Sequence, residues 1–208
     1  MKKTCRDTLT ETAIKFNTDK NSHGYIEIYK DILPDKVKIK KLLEIGAYKG
    51  DSLMLWQEVF PKAKIHTIEN FSYAGCADKE TLKAYGFTVH EGNQIDIEFL
   101  ASIKDEFDVI IDDGDHRPVN QQMAFRHLFA NNLKKGGLYV IEDVMTSLDK
   151  GWLGDTVEKD TTLSAFRTFL SLSVWDSKCF PDHELAFWKN VIERIEIFDD
   201  KLIAIWKK

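Results

Sequence analysis

From residue 40 onward the chain alternates between two hydrophobic periods, and that alternation restricts its fold more than any other feature. Apolar strand patterns run over Lys41 to Ile45, Lys64 to Ile68, Phe87 to Val89, Phe107 to Ile111 and Leu138 to Ile141. Helical patterns separate them at about 51 to 60, 77 to 85, 95 to 103 and 118 to 132. Strands joined through helices form right-handed crossovers, so these five are expected to build a parallel sheet with helices on both faces. Val191 to Phe198 and Lys201 to Trp206 alternate with period two around Asp199-Asp200, which predicts a terminal antiparallel hairpin. The result is a mostly parallel α/β sheet of seven strands.

With 208 residues, 43% of them apolar and 30% charged, the chain suffices for one well-cored domain. Residues 4 to 33 read as two helical stretches joined by a polar hinge, Asn17-Thr18-Asp19-Lys20-Asn21-Ser22-His23-Gly24, and closed by Pro34. This divides the chain into an N-terminal helical extension, 1 to 38, and a main domain, 39 to 208. In the hinge, Asp19 or Ser22 serves as a helix cap or the polar side chains serve a ligand. Residues 149 to 182 read as a polar, glycine-containing loop followed by a helical run from Thr162 to Trp175. A net charge of -5 and a pI near 5.7 offer polyphosphate no general attraction, so no nucleic acid partner is expected. Cys5, Cys76 and Cys179 lack disulfide-framework or zinc spacing. No apolar run reaches the roughly 20 residues of a membrane span, and the start Met-Lys-Lys-Thr-Cys-Arg-Asp has no apolar segment behind it, so the cytoplasm is the expected compartment. A homo-oligomer stays open.

The first strand leads into Glu44-Ile-Gly-Ala-Tyr-Lys-Gly-Asp-Ser52, a turn bracketed by Gly46 and Gly50 before a helix. Such a turn brings backbone close to a ligand, and the helix start favours an anion. The pattern is G-x-x-x-G, not the G-x-G-x-x-G of a dinucleotide pyrophosphate loop. Glu69 follows Gly46 at about the 20-residue spacing of an acid that holds an adenosine ribose, or it is a solvated acid at a strand end. Ligands of open α/β sheets bind beyond the C-terminal ends of the strands. Those ends are acidic here, at Glu44, Glu69-Asn70, Glu91-Gly92-Asn93-Gln94, Asp112-Asp113-Gly114-Asp115-His116 and Glu142-Asp143. Carboxylates gathered so closely repel unless a cation joins them, and hard oxygen donors select Mg²⁺, Mn²⁺ or Ca²⁺. Asp112 and Asp113 point to opposite sides of an extended strand, so only one of them faces such an ion. Asp115, ahead of Arg117-Pro118, reads equally as a helix-capping acid. His116 is placed to act as general base beside the acids.

The motifs Leu-Leu-Glu-Ile-Gly-Ala-Tyr-Lys-Gly-Asp-Ser, Ile-Glu-Asn, Glu-Gly-Asn-Gln, Ile-Ile-Asp-Asp-Gly-Asp-His and Gly-Gly-Leu-Tyr-Val-Ile-Glu-Asp resemble those of class I S-adenosylmethionine methyltransferases. More narrowly they resemble the metal-dependent O-methyltransferases of deoxysugars in macrolides and related compounds, as does the leader Asn-Thr-Asp-Lys-Asn-Ser-His-Gly-Tyr-Ile-Glu-Ile-Tyr. The resemblance spans about residues 17 to 145. It implies a Rossmann-like class I methyltransferase fold and a Mg²⁺- or Mn²⁺-dependent transfer of methyl from S-adenosylmethionine to a hydroxyl of a sugar or glycosylated small molecule. It puts the metal ligands on Asp113, Glu142 and Asp143 and the base on His116. The cofactor would meet Glu44, Gly46, Tyr48, Gly50 and Ser52 with its methionine part, Glu69 and Asn70 with its ribose, and Asn93 and Gln94 with its adenine, near Asp112. Thr18, His23 and Tyr25 of the hinge would close over it. Asn93 stands where many of these enzymes have Asp, and Asp115 where they have a small polar residue. A nicotinamide-dependent oxidoreductase and a non-catalytic methyltransferase-like protein are the alternatives.

Overall fold

The computed structural model describes residues 5–34, 38–148 and 160–208. Three helices, α1 (Cys5–Lys15), α2 (Asp19–Ser22) and α3 (Tyr25–Ile32), precede β1 (Lys41–Ile45). Then follow α4 (Asp51–Val59), β2 (Lys64–Glu69), α5 (Lys79–Ala84), β3 (Thr88–Glu91), α6 (Ile97–Ser102), β4 (Phe107–Asp112), α7 (Pro118–Asn131) and β5 (Leu133–Ile141). After a 3₁₀ turn at Val144–Leu148 come α8 (Thr162–Leu172), α9 (Leu185–Val191) and the hairpin β6 (Ile192–Phe198) and β7 (Leu202–Lys207). The sheet order is β3-β2-β1-β4-β5-β7-β6. β1 to β5 are parallel, and β7 lies antiparallel between β5 and β6.

Alternation along the strands divides the core in two. Leu43 and Ile45 of β1, Ile110 of β4 and Tyr139 and Ile141 of β5 face α6, α7, α8 and α9, where Phe125, Phe166, Phe180 and Trp188 pack together. Leu42, Val109, Ile111, Leu138 and Val140 face the other way, onto Leu9 and Ala13 of α1, Tyr25, Ile26 and Tyr29 of α3, and Leu53 and Trp56 of α4. The N-terminal helices therefore contribute to the core that covers this face. Strand order reverses between β1 and β4, so their C-terminal ends open a crevice of the kind in which α/β sheets bind ligands.

The expected elements are present, with boundaries moved for local reasons. β5 starts at Leu133, not Leu138, because the Gly136-Gly137 pair that reads as a break is taken into the strand beside a register shift in the β4–β5 ladder. α8 stops at Leu172, short of Trp175, where Ser173 turns left-handed at φ 56°. The hinge folds into the single turn of α2. α9 has no strong signature ahead of the hairpin, and it is anchored by the buried Trp188. Part of the polar loop, residues 149–159, lies outside the described residues.

Candidate active site

Both glycines of the turn after β1 are needed by the backbone. Gly46 and Gly50 have φ of 88° and 86°, and a Cβ on Gly46 would lie 2.2 Å from the carbonyl oxygen of Asp113. The β1 turn thus packs directly on the β4 turn. Glu69 organises it from the neighbouring strand. Its Oε2 accepts the N–H groups of Ala47 at 2.8 Å and Tyr48 at 3.3 Å, and its Oε1 accepts those of Asn70 at 2.9 Å and Phe71 at 3.1 Å. Four backbone donors on one carboxylate hold the β1 and β2 turns together. Tyr48, left-handed at φ 45°, projects outward and meets Tyr73 edge-on.

The acids at the crevice enclose a lysine. Lys20, on α2, is completely buried, and its ammonium lies 2.6 Å from Asp113 Oδ2, 2.8 and 2.9 Å from the two oxygens of Glu142, and 3.1 Å from Glu44 Oε1. Burial alone would push the lysine pKa down, but Asp113, Glu142 and Glu44 more than reverse this and hold it charged. Glu44 also accepts from Ser52 Oγ at 2.7 Å, so this acid and the first turn of α4 are joined beneath the glycine turn. Burial moves the Glu44 carboxyl above its ordinary range against the pull of Lys20. Tyr29 donates a short hydrogen bond to Glu142 Oε1. Tyr25 donates to Asp143 Oδ1 at 2.5 Å and accepts the Asp143 N–H at 3.2 Å.

Asp113, His116 and Asp143 bring one potential ligand atom each within 4.8 Å of one another. His116 Nε2 lies 3.7 Å from Asp143 Oδ2. Both residues have left-handed backbone, with φ of 58° and 53°, a conformation that costs a non-glycine residue on the order of 1–3 kcal/mol and concentrates at functional sites. The two carboxylates are hard oxygen donors of the kind that suit Mg²⁺ or Mn²⁺, and the imidazole, a softer donor, stands beside them. Glu142 turns both oxygens to Lys20, an ammonium it shares with Asp113.

The other expected site residues surround this centre. Asp112 is fully buried. Its Oδ1 accepts from Gln94 Nε2 and the Gly114 N–H, both at 3.3 Å, and burial, with the charges of Asp115 and Asp113, raises its pKa to about 8. Asn93 and Asn70 close turns of their own, accepting the N–H groups of Ile95 and Ser72. Thr18 is buried ahead of α2, and His23 stands edge-on to Tyr25. Asp115 accepts the Arg117 N–H and the Asn120 side-chain amide, which closes the turn ahead of α7 without capping a backbone N–H of its first turn. Lys20 and Tyr29 are the site residues that sequence reasoning passed over. The acidic strand ends call for a positive charge among them, but nothing local in the sequence marks Lys20 as its source or Tyr29 as a donor to Glu142.

Comparison with solved structures identifies the architecture. A methyltransferase of mycinamycin biosynthesis, MycE, solved with Mg, SAH and mycinamycin VI, superimposes with a TM-score of 0.71 over 96% of this chain and 54% of its own, at 23% identity. The SAH-bound Podospora anserina methyltransferase PaMTH1 follows at a TM-score of 0.56 and 20% identity, over 97% and 88% of the two chains. The fold is that of the class I methyltransferases. Among curated proteins, a tetracenomycin 3'-O-methyltransferase of Streptomyces olivaceus, named for its 2-methoxy-α-L-rhamnosyl substrate, is 37% identical over 120 residues, which is 54% of this chain and 29% of the relative. Mycinamicin VI 2''-O-methyltransferase of Micromonospora griseorubida is 31% identical over 138 residues, 62% of this chain and 33% of the relative. The resemblance to deoxysugar O-methyltransferases read from the motifs thus holds, although the chain spans about a third of the length of these relatives. No family model matches. Among the described residues no helix is long and apolar enough to cross a membrane.

Proposed function

We propose that this class I methyltransferase fold serves an S-adenosylmethionine-dependent, Mg²⁺-dependent O-methyltransferase that acts on a hydroxyl of a sugar or glycosylated small molecule. The observation that carries this reading is the gathering of Asp113, His116 and Asp143 where strand order reverses, in a chain similar to enzymes named as sugar O-methyltransferases. Asp113 and Asp143 would hold the Mg²⁺ or Mn²⁺. Glu142, which the resemblance adds to the ligands, would stand behind them with Lys20 and Tyr29. When bound, the divalent ion would supply a Lewis acid for the acceptor hydroxyl and S-adenosylmethionine an electrophilic methyl. His116 takes the hydroxyl proton, and its fixed place beside Asp143 supplies orientation.

The cofactor is assigned to the crevice above Gly46, Tyr48 and Gly50, with Glu69, Asn70, Asn93, Gln94 and Asp112 along it. Glu44 and Ser52 would act from beneath by fixing the turn. Residues 17 to 25, with Thr18, His23 and Tyr25, would form the covering wall, and Lys20 and Tyr25 tie that wall to the acids.

S-adenosylhomocysteine is expected to raise the melting temperature and NAD to leave it unchanged. In an acceptor screen with S-adenosylmethionine, EDTA should abolish methyl transfer, Mg²⁺ should restore it, and Asp113→Asn should reproduce the chelator's effect. Stabilisation by NAD alone would retire the methyltransferase reading, and full activity in EDTA would remove the metal from it.

A further inference from the structure

The acid cluster has a sealed half and an open half. Glu44 and Glu142 are 0% and 1% exposed, and with Asp113 they surround an ammonium that is itself 1% exposed. Asp113, His116 and Asp143 are 21%, 16% and 11% exposed, so solvent reaches the cluster on their side. An ammonium has three N–H donors, and Lys20 meets three carboxylates. With every acid ionised, Glu44, Asp113 and Glu142 carry three negative charges against one positive charge. Buried carboxylates persist only when paired, and oxygens spaced to share an ammonium at 2.6 to 3.1 Å could equally converge on a divalent ion.

We propose that Lys20 is a built-in cation that fills the sealed half of this cluster, so that only the Asp113, His116 and Asp143 side takes a divalent ion. Lys20 is then a positioning residue. Through it the docking of α2 becomes a condition for the metal site, and Glu142 is withheld from the ion while Asp113 is shared between ammonium and metal. Tyr29 serves the same end by donating to Glu142 from the same side. This inference rests on the proposed metal site of the methyltransferase, but its test does not require activity.

The test counts ions on the full chain by Mn²⁺ titration, followed by electron paramagnetic resonance, and records melting temperatures in EDTA and in Mg²⁺. The wild type should bind one ion. Lys20→Met, which leaves Glu44, Asp113 and Glu142 without their counter-charge, should bind two and should gain more in melting temperature from Mg²⁺ than the wild type does. Should Lys20→Met fold only when Mn²⁺ or Mg²⁺ is present, that dependence supports the proposal as well. The double variant Lys20→Met/Glu142→Gln has one negative charge fewer in the sealed half and should return to one ion. A Lys20→Met protein with the wild-type ion count and the wild-type response to Mg²⁺ would overturn the proposal. So would a double variant that binds two ions, because its sealed half would then hold an ion without the charge of Glu142. A wild type that binds no ion, beside a Lys20→Met that binds one, would keep the role of Lys20 and dismiss the proposed metal reading instead.

Discussion

The two ends of the sheet treat their acids in opposite ways. At the N-terminal ends of β1 and β4 two carboxylates each have a lysine of their own. Asp105 pairs with Lys41, and Asp108 pairs with Lys134 at 2.7 Å while also accepting the Lys40 and Lys41 N–H groups. The bond from Lys41 holds Asp105 below the usual carboxylate range. For Asp108, burial works upward but is outweighed by Lys134 and the two backbone donors. At the C-terminal ends three carboxylates share one lysine, and Asp143 adds a fourth acid with a tyrosine and a histidine for company. One-to-one pairs near the surface are what stability alone accounts for. Carboxylates crowded in this way cost folding unless they are protonated or joined by a cation, and burial does raise Glu44 and Glu142 above the ordinary range.

The sharpest way to break this contrast is His116→Ala. Removal of a general base is expected to lower kcat by about 10²–10⁴-fold. The protein should still fold, and part of the activity should return at high pH, where the acceptor needs less help to lose its proton. A variant with normal turnover would reduce the C-terminal edge to another set of structural acids.

The N-terminal edge has its own signature, which is pH rather than turnover. His66 is buried on β2, its Nδ1 lies 3.0 Å from His90 Nε2, and its ring packs edge-on to Phe107. Burial, with His90 next in effect, lowers its pKa to about 4. A folded pKa below the unfolded value near 6.5 means that the neutral ring is favoured by the fold. Its contribution is complete above about pH 6.5 and drains away as pH falls toward about 4, by roughly 3 kcal/mol in all. Urea unfolding at pH 7.5 and pH 4.5 measures this, and His66→Gln should flatten the difference. A pH dependence untouched by His66→Gln would locate the acid sensitivity elsewhere.

Smallest of all should be Lys134→Ala. A partly exposed pair such as Lys134 with Asp108 contributes about 1 kcal/mol or less, and methyl transfer should be unchanged. A loss of activity here would mean that the two edges are coupled through β4 and would end their treatment as separate systems.

What the sequence made legible follows from the range of the forces involved. Strand and helix periods are local, so all seven strands were readable, including the hairpin. Where β5 begins, at Leu133, is decided by pairing with Phe107 in another strand, which no local period reports. The glycine turn and the acidic strand ends were readable because they sit at ends that topology brings together. Lys20 was not, because a lysine in a polar hinge looks like a solvated side chain until the acids from β1, β4 and β5 are placed around it. Glu69 reads in the sequence as a ribose ligand or a solvated strand-end acid; the structure shows it buried and holding two turns by their N–H groups, a role set by backbone geometry rather than residue type.

The Lys20–Glu142 contact joins residues 122 positions apart. During synthesis at about 5–20 residues per second, the lysine leaves the ribosome on the order of ten seconds before its partner exists. Helices α1 to α3 can pair their apolar faces with α4 and β1 in that interval, but the acids of β4 and β5 arrive later, already repelling one another. Closure of the crevice is therefore a late event with a long loop to close, and a nascent chain stalled before β5 would present an ammonium where the finished protein hides one.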